Sequence, residues 1–165
     1  MVTSLCRPLL DRDCRDLARA FYMEKNMIRK ARKTDLNQIL RLLKYGAISG
    51  KVLTRSKSDM LQNIKNFFVC VENSQIIGCA SLEVYSPKLA EIRSLVVDPS
   101  YQRKGIGSLL VQTCLLEAKA QGIFEILAIT DKNQFFKGLG FKKSIEEKCP
   151  MFLKLDVGYN KKKTK

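Results

Sequence analysis

The sequence predicts an α/β (α+β) domain in which helices pack on the faces of a mixed, mostly antiparallel sheet. Two observations support this prediction. Segments in the middle of the chain alternate apolar and polar residues, or run apolar between turn residues, which is typical of strands. Segments before and after them repeat apolar residues at helical spacing. The chain has 165 residues, 45% of them apolar, which is enough for one domain with a buried core.

The predicted element order is β-α-α-β-β-β-α-β-α-β-β, and it opens with one strand and two helices. Met27–Ala31 is a short strand. Thr34 can cap a helix that ends near Lys44, because its hydroxyl can accept from the free amides of the first turn. Ser56–Asp59 has the composition of a second helix start.

Three strands follow, joined by two turns at residues 72–75 and 86–88. The strands are Phe67–Val71, Ile76–Tyr85 and Ala90–Asp98. In the last of them, simple alternation puts four side chains on one face, namely Glu91, Arg93, Leu95 and Val97.

The last predicted elements alternate helix and strand, and glycines stop both helices. They are a helix from Gly105 to Gln121, a strand at Phe124–Ile129, a helix at Asn133–Leu139, a strand beginning at Phe141 and a final strand at Met151–Val157.

The chain divides into one main domain and two appendages. Residues 1–26 form an N-terminal extension with helical apolar spacing, either an extra helix or a segment upstream of a true start at Met27. Residues 27–157 are the domain, and 158–165 form a basic flexible tail.

Composition excludes several classes of site. The chain has no histidine, which removes Ser-His-Asp and Cys-His catalysis and every His-ligated metal site. Its six cysteines form no C-x-x-C pair, so we expect packing roles in a reducing, cytoplasmic setting. No apolar run is long enough to cross a bilayer, and no secretion signal is present, so no membrane association is predicted.

The charge is strongly basic, with 30 lysines and arginines against 16 acidic residues. Such a field attracts anions, which include nucleic acid, acidic membrane surfaces and small polyanions. No nucleic-acid-binding motif is present, so a nucleic-acid partner is disfavoured. Whether the chain forms a homodimer is left open.

The most informative stretch joins the end of a strand to the start of a helix. A strand ends at Asp98-Pro99, and a Gln-x-x-Gly-x-Gly motif then runs into the helix. Glycines let the backbone approach a ligand, and free amides at a helix N-terminus favour negative charge. The spacing matches neither a Walker loop nor a dinucleotide-binding G-x-G-x-x-G motif. We predict a pyrophosphate cradle formed by Gln102, Arg103, Lys104, Gly105, Ile106, Gly107 and Ser108.

In this order of elements, the sequence resembles the GNAT superfamily of acetyl-CoA-dependent N-acetyltransferases. The resemblance covers roughly residues 28–141 and includes Leu95–Pro99, Gln102–Gly107 and Phe135–Phe141. Within the superfamily, the segments Gly50–Ser56, Asn63–Val69 and Ala90–Leu95 resemble the acetyltransferase domain of N-acetylglutamate synthases. Residues 144–152 depart from that subgroup, which commonly continues with a segment rich in Leu-Pro, Trp or Cys.

The resemblance implies a GNAT fold with about six or seven strands, about four helices, acetyl-CoA as co-substrate and no metal. The fourth and fifth strands would splay apart, and pantetheine would bond to the backbone of Leu95 and Val97 like an added strand. The amide of Val96 or Val97 would face the thioester carbonyl. One fixed donor to an oxyanion is worth roughly 3–4 kcal/mol.

The same resemblance suggests roles for charged residues. Glu91 would be the general base, directly or through a water, and the alternative is an ion pair with Arg93 or a lysine. Arg93 would hold a substrate carboxylate, and the alternative is again a structural ion pair. Arg55 and Lys51 would add carboxylate contacts or remain solvated charges. Phe136 stands where many GNAT enzymes have a tyrosine that acts as general acid, so no tyrosine is assigned that role.

The sequence therefore predicts an enzyme that acetylates the amine of a small substrate, an amino acid such as glutamate, by direct attack in a ternary complex. This would place it in cytoplasmic amino-acid metabolism, such as arginine biosynthesis. Three alternatives stay open: a peptide or protein N-acetyltransferase, a non-catalytic acetyl-CoA-binding module, and a basic nucleic-acid-associated module.

Overall fold

A computed structural model describes residues 27–48 and 56–143. Within these residues one five-stranded sheet has the order β1-β2-β3-β4-β5. Neighbouring strands are antiparallel except β4 and β5, which are parallel, so the predicted mixed sheet is confirmed. The strands are β1 Met27–Lys30, β2 Phe67–Glu72, β3 Gln75–Ser86, β4 Leu89–Val97 and β5 Glu125–Leu127.

The helices of the described residues lie where the sequence predicts them. They are α1 Leu36–Ile48, α2 Lys57–Asn63, α3 Ile106–Ala120 and α4 Asn133–Lys137. The described residues up to Asp131 belong to one compact unit, and those from Lys132 belong to a second. Residues 141–143 are irregular, and the rest of the last two predicted strands lies outside the described residues. None of the helices in the described portion is long and apolar enough to cross a membrane.

The two long helices cover opposite faces of the sheet. On one face, α1 and α2 pack against side chains of β2, β3 and β4, among them Val69, Cys79 and Val96. On the other face, Gly78 of β3 lies against α3, where an added Cβ would come within 3.1 Å of Leu110 and 3.2 Å of Ile106. Glycine at this position therefore lets the start of α3 lie close to the sheet.

The start of α1 differs from the expected cap at Thr34. A short 3-10 turn at Lys33–Asp35 precedes the helix. The buried Asp35 carboxylate accepts from the Arg32 amide at 2.7 Å and from the Arg29 guanidinium at 2.6 and 3.1 Å. The hydrogen bond from Arg29 holds the pKa of Asp35 below its usual value. The side chain seen to stabilise this helix start is therefore Asp35 rather than Thr34, and its carboxylate accepts from both a backbone amide and a guanidinium.

The cysteines of the described residues are free and buried, as predicted for packing residues. Burial raises the pKa of Cys70 to about 11, and that of both Cys79 and Cys114 to about 12. Because the thiolate is the reactive form, these thiols are not nucleophiles near neutral pH. Cys6, Cys14 and Cys149 lie outside the described residues.

Strand β4 is paired along only part of its second edge. It pairs with β5 from Leu89 to Glu91, and no described strand pairs with the same edge from Ile92 to Val97. β4 and β5 therefore pair over a short parallel stretch and then separate, as the resemblance predicts for the fourth and fifth strands.

Candidate active site

The chain leaves β4 through a turn stabilised by its own side chain. The Asp98 carboxylate accepts from the Ser100 amide at 3.0 Å, and the Tyr101 amide donates to the Asp98 carbonyl at 2.9 Å. Pro99 suits the first turn position because its φ is restricted and it needs no acceptor. The Asp-Pro sequence therefore ends the strand and turns the chain toward α3.

The segment after this turn has unusual backbone angles and unpaired amides. Arg103 has φ +61° and Gly105 has φ +83°. The Leu109 amide donates to the Gly105 carbonyl at 3.1 Å, so the preceding amides have no helical acceptor. Within the described residues, the amides of Gly105 to Ser108 donate no hydrogen bond, while Gln102 and Arg103 lie in a hydrogen-bonded turn. Free amides at the start of a 15-residue helix can bind an anion.

The side chains of the predicted cradle divide into two groups. Those of Arg103 and Lys104 are exposed, and the Lys104 ammonium lies 4.8 Å from the centre of the Tyr101 ring. The Gln102 side chain donates to the Val97 carbonyl at 2.9 Å. Gln102 therefore ties the loop to the end of β4, a role that its place in the motif did not reveal.

The pairing of β3 and β4 determines which amide lies on the open edge. The Asp98 amide donates to the Ile77 carbonyl at 2.8 Å. Because antiparallel pairs alternate, the amide of the preceding residue, Val97, points away from β3 toward the open edge. Val96 pairs with Cys79, so by the same alternation its amide points toward β3. Of the two predicted oxyanion donors, the geometry favours Val97 over Val96.

A β-bulge corrects one sequence prediction. Between the pairs Cys79–Val96 and Ser81–Arg93, β4 contains one extra residue, and Ser94 has φ +54°. The bulge shifts the alternation, so that Glu91, Arg93 and Val96 share one face and Val97 lies on the other. The expectation that Glu91, Arg93, Leu95 and Val97 share a face is therefore wrong, because strict alternation does not continue through a bulge.

Four polar side chains form a cluster on β3 and β4, which we call the acceptor cluster: Glu83, Tyr85, Glu91 and Arg93. Arg93 Nη1 lies 2.6 Å from Glu83 Oε2, and Arg93 Nε lies 3.7 Å from Glu91 Oε2. The Tyr85 hydroxyl donates to Glu91 Oε2. Arg93 thus forms the ion pairs that the sequence left as an alternative to a substrate contact.

Glu91 is almost fully buried, with 7% of its surface exposed. Both of its described contacts go to Oε2, which leaves Oε1 without a partner among the described residues. Partial burial of the Tyr85 hydroxyl and its hydrogen bond to Glu91 raise the pKa of Tyr85. Tyr85 therefore remains a neutral donor near neutral pH, and Glu91 keeps one oxygen that can receive a proton.

Sequence reasoning missed two members of the acceptor cluster, Glu83 and Tyr85. The turn at residues 86–88 makes β3 and β4 a hairpin, and the register pairs Glu83 with Glu91 across it. The register shifts by one residue between Val84 and Ser86, so counting back from the Ser86–Leu89 pair would have placed Glu83 opposite Ile92 instead.

The remaining predicted site residues belong to the second unit or fall outside the described residues. Lys51 and Arg55 are outside the described residues. In the second unit, Phe136 is buried, and its ring makes edge-on contacts with Phe135 at 5.1 Å and Phe141 at 5.2 Å between ring centres. Phe136 is thus a packing residue within its own unit. No group of three or more potential metal ligands occurs in the described part of the chain.

Comparison with known proteins gives relatives along most of the chain. A sequence profile of the acetyltransferase (GNAT) domain matches residues 63–143. An uncharacterized N-acetyltransferase of Chlorobaculum tepidum is 37% identical over 123 residues, which span 74% of this chain and 79% of that protein. An amino-acid acetyltransferase of Pseudomonas fluorescens is 28% identical over 75% of this chain, but the match spans only 29% of that protein.

Solved structures with bound coenzyme A also superpose on this chain. N-acetylglutamate synthase of Neisseria gonorrhoeae, complexed with coenzyme A and N-acetyl-glutamate, superposes with a TM-score of 0.67 and 26% identity. The match covers 69% of this chain and 27% of the synthase. The protein Rv2747 of Mycobacterium tuberculosis, in complex with CoA, superposes with a TM-score of 0.68 at 28% identity, covering 73% of each chain. With its mixed sheet, open fourth strand and amide-lined helix start, this chain belongs to the GNAT family of acetyltransferases.

Proposed function

We propose that this protein transfers the acetyl group of acetyl-CoA to the amine of a small acceptor of the amino-acid class, within a ternary complex. One observation supports this most directly. The open edge of β4 at Val97 leads through the turn at residues 98–103 to the unpaired amides of Gly105–Ser108. A polar edge that continues into an anion site suits a ligand with amide groups at one end and phosphates at the other.

The residues of the cradle fit the phosphates of acetyl-CoA. The free amides and the positive φ of Gly105 permit close approach of the backbone, and the exposed Arg103 and Lys104 add positive charge. Acetyl-CoA, when bound, supplies an activated acyl group and a thiolate leaving group. A thiol with a pKa of about 8.5 leaves without strong acid assistance. This agrees with the absence of a tyrosine at position 136.

The remaining chemistry falls to residues of β4. The Val97 amide is the donor toward the developing oxyanion, and one such donor contributes roughly 3–4 kcal/mol. The acceptor nitrogen forms a bond to the acyl carbon while the carbon–sulfur bond breaks, and a nitrogen proton passes to Glu91 directly or through a water. Tyr85 holds Glu91 Oε2, so that Oε1 is the oxygen that receives the proton.

The amino-acid class of acceptor rests on the relatives, which include amino-acid acetyltransferases and an N-acetylglutamate synthase. Arg93 is our candidate for one acceptor carboxylate, and Arg55 and Lys51 would assist it. L-Glutamate is therefore the first acceptor to test. On this proposal the chain acts in cytoplasmic amino-acid metabolism, such as arginine biosynthesis.

The test is release of free CoA thiol from acetyl-CoA in the presence of single amines. The panel contains L-glutamate, L-glutamine, other amino acids, a short peptide and a polyamine. We expect thiol release with at least one amino acid and a loss of most activity in Glu91→Gln. Release only with the peptide would assign the chain to peptide acetylation. Acetyl-CoA binding without thiol release from any amine would make it a binding module and overturn the proposal.

A further inference from the structure

The acceptor cluster contains more negative than positive charge. Glu83 and Glu91 lie directly opposite each other across β3 and β4, and Arg93 is the cation between them. Tyr85 is neutral, so the four side chains carry a net charge of −1. Like charges opposite each other destabilise a sheet pair, and the guanidinium offsets this repulsion. The sum over these four side chains is thus opposite in sign to the net +14 of the whole chain.

Arg93 already forms ion pairs with Glu83 and Glu91 within this cluster. Its Nη1 lies 2.6 Å from Glu83, the shorter of its two carboxylate contacts, and its side chain is 33% exposed. Glu83 is only 16% exposed at the side chain. A substrate carboxylate that approaches Arg93 must therefore share or displace Glu83, or else add a third negative charge to the site.

We propose that Glu83 determines the charge selectivity of the acceptor site, by competing with substrate carboxylates for Arg93. This inference rests on the proposed function, because it assumes that acceptors bind beside Glu91. Glu83 weakens the binding of acceptors that carry a carboxylate, and it leaves the binding of acceptors without a carboxylate unchanged. Specificity here comes from a competing interaction inside the protein rather than from an added contact to the substrate.

The test is Glu83→Gln, which keeps an oxygen that accepts from Arg93 and removes the charge. Two acceptors are compared: L-glutamate, and its diamide, in which both carboxylates are amides. We expect kcat/KM for L-glutamate to rise by about tenfold or more relative to the diamide, the effect of one released charge-assisted contact. The change is expected in KM with kcat nearly constant, because Arg93 binds the substrate and the transition state alike.

Glu117→Gln is the matched control. Glu117 lies on α3 and forms an ion pair with Lys30 of β1 at 2.7 Å. Its substitution changes the net charge by the same amount as Glu83→Gln and leaves the acceptor cluster intact. It should leave the ratio of kcat/KM for the two acceptors unchanged. In an Arg93→Gln background, Glu83→Gln should no longer favour L-glutamate. A gain that persists without Arg93, or an equal gain in Glu117→Gln, would overturn the inference.

Calorimetry separates failure of this inference from failure of the proposed function. If the wild-type protein releases thiol but Glu83→Gln leaves the selectivity unchanged, Glu83 has no such role and the proposed function stands. If no amine supports thiol release, titration of L-glutamate into protein saturated with CoA still tests Glu83. A dissociation constant that is tenfold lower in Glu83→Gln than in the wild-type protein supports the role of Glu83. Equal constants, or no detectable heat in either protein, contradict it.

Discussion

Replacement of Gly105 by alanine separates ligand binding from backbone strain. Gly105 has φ +83°, and a Cβ there would meet no heavy atom within 4 Å. The strain is therefore conformational, about 1–2 kcal/mol for a residue with a Cβ in the left-handed region. For a protein of this size we expect a Tm lower by roughly 2–8 °C.

The α3 helix provides a matched control at its other end. Gly122 has φ +72° and the same open surroundings, so Gly122→Ala should lower the Tm by a similar amount. Only Gly105 lies among the unpaired amides of the cradle. Loss of one charge-assisted hydrogen bond to a phosphate, about 1.5–3 kcal/mol, weakens acetyl-CoA binding by about 10–150-fold. Gly122→Ala should bind as the wild-type protein does.

The assay is calorimetric titration with acetyl-CoA, run beside thermal unfolding of the same three proteins. The cradle is supported if the dissociation constant for acetyl-CoA is larger in Gly105→Ala alone, while Gly105→Ala and Gly122→Ala lower the Tm by similar amounts. If both variants bind acetyl-CoA like the wild-type protein, the phosphates bind elsewhere and the reasoning from the unpaired amides is refuted.

Three further changes test other parts of the structure. Tyr85→Phe removes the hydrogen bond that holds Glu91 Oε2 in place, so kcat/KM should fall by about tenfold, the effect of one hydrogen bond to a charged group. Asp35→Asn should lower the free energy of unfolding by about 3 kcal/mol at pH 7 in urea titrations. Gly78→Ala should cost about 1–3 kcal/mol by overpacking, seen in the same titrations, because the side chains of Leu110 and Ile106 must give way to the new Cβ.

Each of these has an outcome that contradicts it. Tyr45→Phe removes a hydroxyl outside the acceptor cluster, and an equal fall of kcat/KM in both tyrosine variants would refute the role of Tyr85. The folded state lowers the pKa of Asp35, so its stabilisation is complete above the unfolded pKa of about 3.9 and is lost as the pH falls through the lower folded value. A cost of Asp35→Asn that does not shrink at such low pH would contradict the ion pair. Gly78→Ala with unchanged stability would show that Leu110 and Ile106 accommodate the new Cβ without cost, and would contradict the overpacking.

Several elements were predictable because their causes are local. Ser56 accepts from the Asp59 amide at 3.1 Å and starts α2, as its place before Lys57-Ser58-Asp59 suggests. The turn at Asp98 and the glycine at the start of α3 likewise follow from contiguous residues. A cap or a turn forms between groups a few residues apart, so a short window of sequence contains the whole interaction.

The sequence by itself determined the order of helices and strands, the turn after β4, the Gln-x-x-Gly-x-Gly spacing at the start of α3, and the positions of Glu91 and Arg93 on β4. Only the tertiary structure decided which side chains share a face, because a bulge at Ser94 shifts the alternation that a linear pattern assumes. It also brought Glu83 and Tyr85 to Glu91, across a hairpin whose register depends on both strands together. Contacts between strands depend on pairing over the whole sheet, and no local pattern encodes that pairing.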